Sequence, residues 1–292
     1  MTNPLAVFPD FSIVTAVHNR PDNLRKSAAA ISRNGHHQEH LILDWSSQPA
    51  VNVGDLPDDP RIRLVRVEGE RSWWLSRALN RAMAEARGSW LLKVDADCVL
   101  AAPFFRALDP AAASLQIAAL PGAPRADQSP ALWGLFGVDA NLFALAGGFN
   151  EYLHGWGYDD IDLFERLLLM PGSRLALLPQ AGVTDLAHGD RQRVANRSFL
   201  PARWLMEATL QANRYTAGAT ASSWQSFAHQ VSPTPWPIPH PLPAKIRDQR
   251  ARHLLQGLLA RPLTLMAAGL AKAVPAGLMS QLLTLAGLGP HL

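Results

Sequence analysis

The stretch WLSRALNRAMAEARGSWLLKVDAD, Trp74 to Asp97, decides the fold. From Ser72 onward Leu75, Ala78, Leu79, Ala82, Met83 and Ala86 recur at helical spacing, which predicts a helix ending near Gly88. Trp90-Leu91-Leu92-Lys93-Val94 follows at once as a short, mostly apolar run, the pattern of a buried strand, and it leads directly into Asp95-Ala96-Asp97. A helix that hands the chain straight to a buried strand is half of a βαβ unit. Such units close through right-handed crossovers into parallel sheets.

Upstream the same alternation repeats. Phe11–Val17 reads as a buried strand running into the loop His18-Asn19-Arg20-Pro21, and a helix is predicted over about Asp22–Arg33, with Asp22 as its N-cap and Gly35 as its stop. His40–Asp44 is the second predicted strand and Arg61–Val67 the third, which makes Trp90–Val94 the fourth. Strands and helices of this length predict an α/β, Rossmann-like fold, a mixed and mainly parallel sheet flanked by helices. Ligands of such sheets bind beyond the carboxyl ends of the strands. His18-Asn19-Arg20, Asp44, Asp95 and Asp97 all fall there.

Downstream the pattern loosens. A strand is expected over Trp133–Val138, a turn at Ala146–Phe149, a helix over Asp160–Met170 stopped by Pro171-Gly172, and a short strand at Leu175–Leu178 leading to Thr184-Asp185-Leu186-Ala187-His188-Gly189. A further helix is expected over about 199–215. Proline at every second position from Pro233 to Pro243 then predicts a stiff, extended connector. The expected organisation is a main domain over 1–215, in two halves of about 1–100 and 101–190. A Pro-rich linker over 216–243 and a helical, basic and apolar extension over 244–292 follow it.

Composition narrows the class. Apolar residues make up 48% and charged residues 17% of the 292 residues, which excludes intrinsic disorder. No stretch of about 20 residues is uniformly apolar, so no transmembrane span is expected. Cys98 is the only cysteine, which excludes an intramolecular disulfide framework and a thiolate zinc cluster. Met1–Phe11 has neither a basic n-region nor a long apolar stretch, so the expected location is the cytosol. The charge divides unevenly: 16 basic and 22 acidic residues through Asp190, then 11 basic and 2 acidic from Arg191. An acidic body therefore carries a basic tail, suited to phosphates or to an anionic membrane surface on the inner face of the membrane, with a helical cap packed on the main domain as the equal alternative. The high pI of 9.3 belongs to that tail, which lacks a recognisable nucleic-acid module, so no nucleic-acid partner is expected.

Two constellations carry chemistry. Asp95 and Asp97, read as an extended backbone at a strand end, would put two carboxylates on one side, hard oxygen ligands for Mg²⁺ or Mn²⁺. A lone D-x-D also fits an ordinary solvated loop. Gly155-Trp156-Gly157-Tyr158-Asp159-Asp160-Ile161-Asp162 enters a helix, where acids suit the helix dipole, but capping needs only one or two of them. A tryptophan between glycines beside paired acids fits a sugar subsite; burial of Trp156 in the core is the rival reading. Cys98, directly after the D-x-D, has no basic neighbour in sequence to support a thiolate and is expected to be structural.

Read together, SIVTAVHNR, LILDWSS, the stretch quoted first and GGFNEYLHGWGYDDIDLFERL resemble the GT-A glycosyltransferases, specifically family 2, over about Phe11–Gly189. GWGYDDID is similar to the GWGGEDDD-type element of β-1,4-galactosyltransferases and chondroitin-polymerase-like enzymes. The resemblance implies that His18, Asn19 and Arg20 line the nucleotide, that Asp44 reads the uracil edge, and that Arg77 lies near the diphosphate. Within the D-x-D of Asp95, Ala96 and Asp97 it makes Asp97 the direct metal ligand and sets Asp95 closer to the ribose. Trp156 would contact donor and acceptor sugars, Asp159 the acceptor, and Asp160 would be the catalytic base. His188 would complete the metal site, with Asp185 a further candidate ligand. Three departures stand out. Asp44-Trp45-Ser46-Ser47 lacks the family's glycine, so its loop is expected to turn differently; HNR replaces the commoner YN; and Asp159 replaces a glutamate.

What the resemblance implies is an inverting, metal-dependent transfer of sugar from a nucleotide diphosphate, with a UDP-sugar as expected donor and Mn²⁺ or Mg²⁺ as cofactor, to a glycan or lipid-linked glycan acceptor. The alternatives are a non-catalytic carbohydrate- or nucleotide-sugar-binding relative and a sugar nucleotidyltransferase. The first would lose the acids, and the second would want a glycine-rich phosphate loop after Val17.

Overall fold

The computed structural model describes residues 10–70, 73–119, 132, 134–153, 155–170 and 172–186, with single positions at 206, 210 and 213. The linker and the C-terminal extension expected from sequence, and most of the helix expected over 199–215, lie outside these. The chain divides into two compact units, Met1–Gly148 with Phe164–Gly189, and Phe149–Leu163 with Asp190–Leu292.

In the first unit, chain order runs β1 (Phe11–Val17), α1 (Pro21–Asn34), β2 (Glu39–Trp45), β3 (Ile62–Val67), α2 (Leu75–Glu85), β4 (Trp90–Lys93), β5 (Cys98–Leu100), α3 (Ala102–Ala107), β6 (Leu115–Ile117), β7 (Phe136–Asp139) and α4 (Ala140–Leu145). After α5 (Asp159–Leu169), which begins in the second unit, come β8 (Leu175–Leu177) and β9 (Val183–Asp185). Seven strands form one sheet in the order β3-β2-β1-β4-β7-β6-β8, and β5 pairs with β9 in a second, antiparallel ribbon. The strands β3, β2, β1 and β4 are mutually parallel; β7 runs antiparallel to β4 and β6. The fold is the mixed, mainly parallel, helix-flanked sheet that the sequence predicts.

β1 and β2 are buried along their whole length, and that is why they read as near-continuous apolar runs. Their few polar residues find partners: the Ser12 hydroxyl donates to Glu39 Oε2 at 2.7 Å and accepts the Gly88 N–H at 2.9 Å. One core layer packs Phe11, Ile13, Trp90, Leu92, Phe104 and Phe105. A Cβ on Gly137 would meet the Trp90 ring within 2.0 Å, so only glycine lets that indole lie across β7. Register then sets the rim: Val17 pairs with Asp44, while Lys93 pairs with Val14, so the chain after β4 draws level with the end of β1 at Asp95–Asp97.

One local expectation changes, and one element is new. α1 starts at Pro21 with Arg20 as its N-cap, not with Asp22, because proline's fixed φ suits the first helical position and its missing N–H is not needed there. Residues 183–185, which carry no strand signal in the sequence, form β9, since β5 offers them a partner strand. Among the described residues no helix is long and apolar enough to cross a membrane.

Candidate functional site

Loops following β1, β2 and β4 interlock at one rim of the sheet. Asn19, with φ of 56°, turns the chain from β1 towards α1, a left-handed conformation that asparagine tolerates. Its N–H donates to Ser47 Oγ at 2.9 Å and its Oδ1 accepts the Gln48 N–H at 2.7 Å, which fixes the orientation of the amide. His18 Nδ1 lies 2.6 Å from the Trp45 carbonyl oxygen, which can only accept, so the ring proton sits on Nδ1. Nε2 then accepts from Asn19 Nδ2 at 3.0 Å. The imidazole is held by both edges, and its face stacks on Trp73 with 5.9 Å between centroids.

Asp44 is spent on its own loop. Oδ1 accepts the Ser47 N–H at 2.9 Å, and Oδ2 accepts the Val51 N–H at 3.0 Å together with the Arg66 guanidinium. Burial pushes this carboxyl up, but hydrogen bonds from Ser47, Val51 and Arg66 outweigh it and hold the acid below its ordinary value. Whatever reads a base edge at this rim, the fully buried Asp44 carboxylate is already committed to holding the loop together. Ser46, where the resemblance has glycine, takes φ of 52°, so the turn that glycine would make is made here by serine. Its hydroxyl donates to Val67 O at 2.8 Å and accepts the Glu70 N–H at 3.0 Å, which offsets the strain.

The D-x-D corrects the extended-backbone expectation. Residues 95–97 form a turn, closed by the Cys98 N–H donating to Asp95 O at 2.9 Å, because β5 must start immediately to meet β9. Each acid has its own cation: Arg20 Nη1 donates to Asp97 Oδ2 at 3.0 Å, and Lys93 Nζ to Asp95 Oδ2 at 2.7 Å. Ala96 is buried in a small cluster with Val17, Leu24, Ala28 and Ile42. Gly134 (φ 79°) presses on the second pair, since a Cβ there would lie 3.0 Å from Lys93 Nζ. Lys93 was not picked out from sequence, although a lysine inside an apolar strand is itself the signal of a buried partner.

Asp185 pairs with Cys98 in the ribbon, and the next residue, Leu186, donates its N–H to Asp97 O at 2.7 Å. His188 lies outside the described residues. Among the described residues no three His, Cys, Asp or Glu side chains are grouped to hold a metal ion, Asp95, Asp97 and Asp185 included. Burial, and then the carboxylates of Asp95 and Asp97, push the Cys98 thiol well up, which keeps it protonated and inert at neutral pH. Arg77, on α2, is buried with its guanidinium 5.3 Å from the Trp74 ring centroid.

In the second unit, the segment carrying Trp156 turns through three left-handed residues, Gly155, Gly157 and Tyr158 (φ 75°, 91° and 72°). Asn213 Nδ2 donates to Gly157 O at 2.8 Å, and a Cβ on Gly157 would meet Leu210 at 2.8 Å. Trp156 is half-buried rather than sealed in a core, and Asp159 and Asp160 are partly exposed at the start of α5, with Asp162 buried. Asp160 Oδ1 accepts the Ile161 N–H at 2.8 Å.

Residues 12–133 match the family model described as Glycosyl transferase family 2. Among solved structures, residues 1–349 of S. aureus TarS in complex with UDP-GlcNAc align with a TM-score of 0.53 at 12% identity, covering 94% of this chain and 79% of that one. GalNAc-T7 with UDP, GalNAc and Mn²⁺ aligns with a TM-score of 0.51 at 15% identity, covering 84% of this chain and 55% of that one, so this chain spans about half of it. No curated protein sequence matches. The mixed, mainly parallel, helix-flanked sheet is consistent with a GT-A, Rossmann-like fold, and the family match over residues 12–133 ends before the GWGYDDID segment.

Proposed function

We propose that this chain is a glycosyltransferase that moves a sugar from a nucleotide diphosphate, a UDP-sugar by preference, to a hydroxyl of a glycan or lipid-linked glycan, inverting the anomeric carbon. The observation that carries the reading is the interlocked rim: the β1 loop is bonded on one side to the β2 loop through Ser47, and on the other to the D-x-D turn through Arg20 and Asp97. A bonded rim that sets a guanidinium beside two carboxylates beyond the strand ends suits a nucleotide diphosphate. The family match over 12–133, and the nucleotide ligands of TarS and GalNAc-T7, support it.

The roles follow. His18 and Asn19 present a pre-oriented edge and ring face to the nucleoside, while Arg20 and Arg77 supply positive charge for the diphosphate. Trp156 offers its face to a sugar, Asp159 binds acceptor hydroxyls, and Asp160 removes the proton from the attacking hydroxyl. A divalent metal, Mn²⁺ or Mg²⁺, would be held by Asp97, with His188, Asp95 and Asp185 as further ligands. When bound, it neutralises charge on the departing diphosphate. One feature fits that group: Asp97 Oδ2 already holds a cation, the Arg20 guanidinium. In the same proposal the basic, apolar segment beyond Pro243 rests on an anionic membrane surface on its cytoplasmic side, supported by composition alone.

The test is slow donor hydrolysis with a panel of UDP-, GDP- and dTDP-sugars and Mn²⁺. Turnover should stop in EDTA and return with Mn²⁺, and Asp160→Asn should lower acceptor transfer by about 10²–10⁴-fold. Turnover that ignores EDTA, or an Asp160→Asn enzyme within a few-fold of the parent, refutes the reading.

A further inference from the structure

A fourth loop reaches the rim, the one between β3 and α2. Its Glu70 N–H donates to the Ser46 hydroxyl at 3.0 Å, which ties it to the β2 loop. It ends in two adjacent tryptophans that serve different neighbours. Trp74 is the N-cap residue of α2 and has the Arg77 guanidinium over its ring. Trp73 is only partly buried, and its indole lies parallel to the His18 imidazole, within 9° and with 5.9 Å between centroids. Parallel faces in contact are about 3.5–4.0 Å apart, so that separation slips the two rings sideways by about 4–5 Å. Each covers only the margin of the other, and together they make one stepped aromatic surface. His18 is held in its plane by its own edges, since Nδ1 donates to Trp45 O at 2.6 Å and Nε2 accepts from Asn19 Nδ2 at 3.0 Å.

We propose that Trp73 is a nucleobase-binding residue, which forms with His18 the surface on which the base of the donor stacks. Strand order fixes which end of a nucleotide belongs there. The D-x-D turn follows β4 and Trp73 follows β3, with β1 and β2 between them. Neighbouring strands are about 4.8 Å apart, so the two strand ends are separated by about 14 Å. In a nucleotide sugar the base lies at one end, and the diphosphate with its sugar at the other. A diphosphate beside Arg20 and the D-x-D turn therefore directs the base towards the loops after β2 and β3. Asp44, the acid expected to meet that base, has both oxygens engaged by Ser47, Val51 and Arg66. The flat pair, rather than this carboxylate, is what the rim offers a base.

This role rests on the transferase reading, and the test separates the two. Binding of UDP, of a UDP-sugar and of ribose 5-diphosphate to the full chain is measured by calorimetry with Mn²⁺ present, for the parent, Trp73→Leu and Trp73→Phe. Leucine fills the position without an aromatic face, phenylalanine keeps one, and thermal melts check that both variants fold. Trp73→Leu should weaken UDP about tenfold. Ribose 5-diphosphate, which has the ribose and both phosphates but no base, should stay within about twofold of the parent, and Trp73→Phe should recover most of the loss for UDP. A second readout does not need the leucine variant: the uracil ring protons should move upfield on binding to the parent, by ring current, and move less with Trp73→Phe. A leucine variant that binds UDP as the parent does, or that loses both ligands equally, overturns the role, as does a bound uracil whose ring protons do not shift. A loss confined to the UDP-sugar would put the sugar on this ring and also overturns it. In each of those cases the parent still binds UDP and the transferase reading stands; a parent that binds no nucleoside diphosphate removes both.

Discussion

Two polar residues of β2, Asp44 near its carboxyl end and His40 near its amino end, are buried by opposite means. At its carboxyl end Asp44 is fully buried yet remains charged, because Ser47, Val51 and Arg66 all donate to it. At its amino end His40 is as deeply buried, with one partner, Thr15 Oγ1 at 3.1 Å, and no bond at Nδ1. His37, its ring centroid 6.1 Å away, has no bond at either ring nitrogen. Burial, and then the Arg61 charge, hold His37 down at about 4; burial, and then His37, hold His40 down at about 3, with Asp59 opposing in both cases. A buried charge survives in this protein where donors converge on it, as they do on Asp44 at the rim and on Glu39 from Ser12, Arg63 and Arg87, whereas His37 and His40 give up their charge instead.

Breaking the charged end should have the largest effect. Asp44→Ala strands two buried N–H groups and leaves Arg66, itself one-third exposed, without its carboxylate, so a loss of about 2–4 kcal/mol is expected in urea unfolding. A loss under about 1 kcal/mol would mean that solvent replaces the donors and that the contrast between the two ends is wrong. The neutral end should fail in acid. Both histidines have folded values below the unfolded 6.5, so the unfolded chain binds the extra protons and stability falls as pH drops below 6.5. The fall is about 1.4 kcal/mol per pH unit for each histidine until the folded value is reached. Between pH 6.5 and about 5.5 the depressed carboxyls Glu39, Asp44 and Asp59 stay ionised in both states, so the slope there belongs to the histidines. His40→Gln, which can keep a bond to Thr15, should roughly halve that slope; an unaltered acid limb would assign it elsewhere. The smallest effect is expected at Ser46→Gly. Left-handed strain is relieved while the bonds to Val67 O and from the Glu70 N–H are lost, so the net change should stay within about 1 kcal/mol and be unfavourable. A clearly more stable glycine variant would show that the serine hydroxyl contributes nothing to the rim.

Much of the sheet was legible because β1, β2 and β4 are buried on both faces, and a strand so placed has to be written in apolar residues. β5, β6, β8 and β9 are three residues each and escaped notice, or were read only approximately, because so short a segment has no period of its own. That omission mattered at the site. A sequence that marks neither β5 nor β9 shows no backbone partner for Asp97 in Leu186 and lets the D-x-D read as extended, whereas it is a turn. The cationic partners were hidden for another reason: Arg20 is 77 positions from Asp97, and no local pattern marks an ion pair at that separation.

Apolar spacing and the alternation of helix with strand were enough, in the chain alone, to specify a mainly parallel sheet and to set His18, Asn19, Arg20, Asp44, Asp95 and Asp97 at one of its ends, since side-chain burial dictates those periods directly. Folding decided which partners these acids meet: Asp44 the donors of its own loop and Arg66, Asp95 a buried lysine, Asp97 a partly exposed arginine. Partnership between charges depends on distance and burial in space, and neither is encoded by neighbours in sequence.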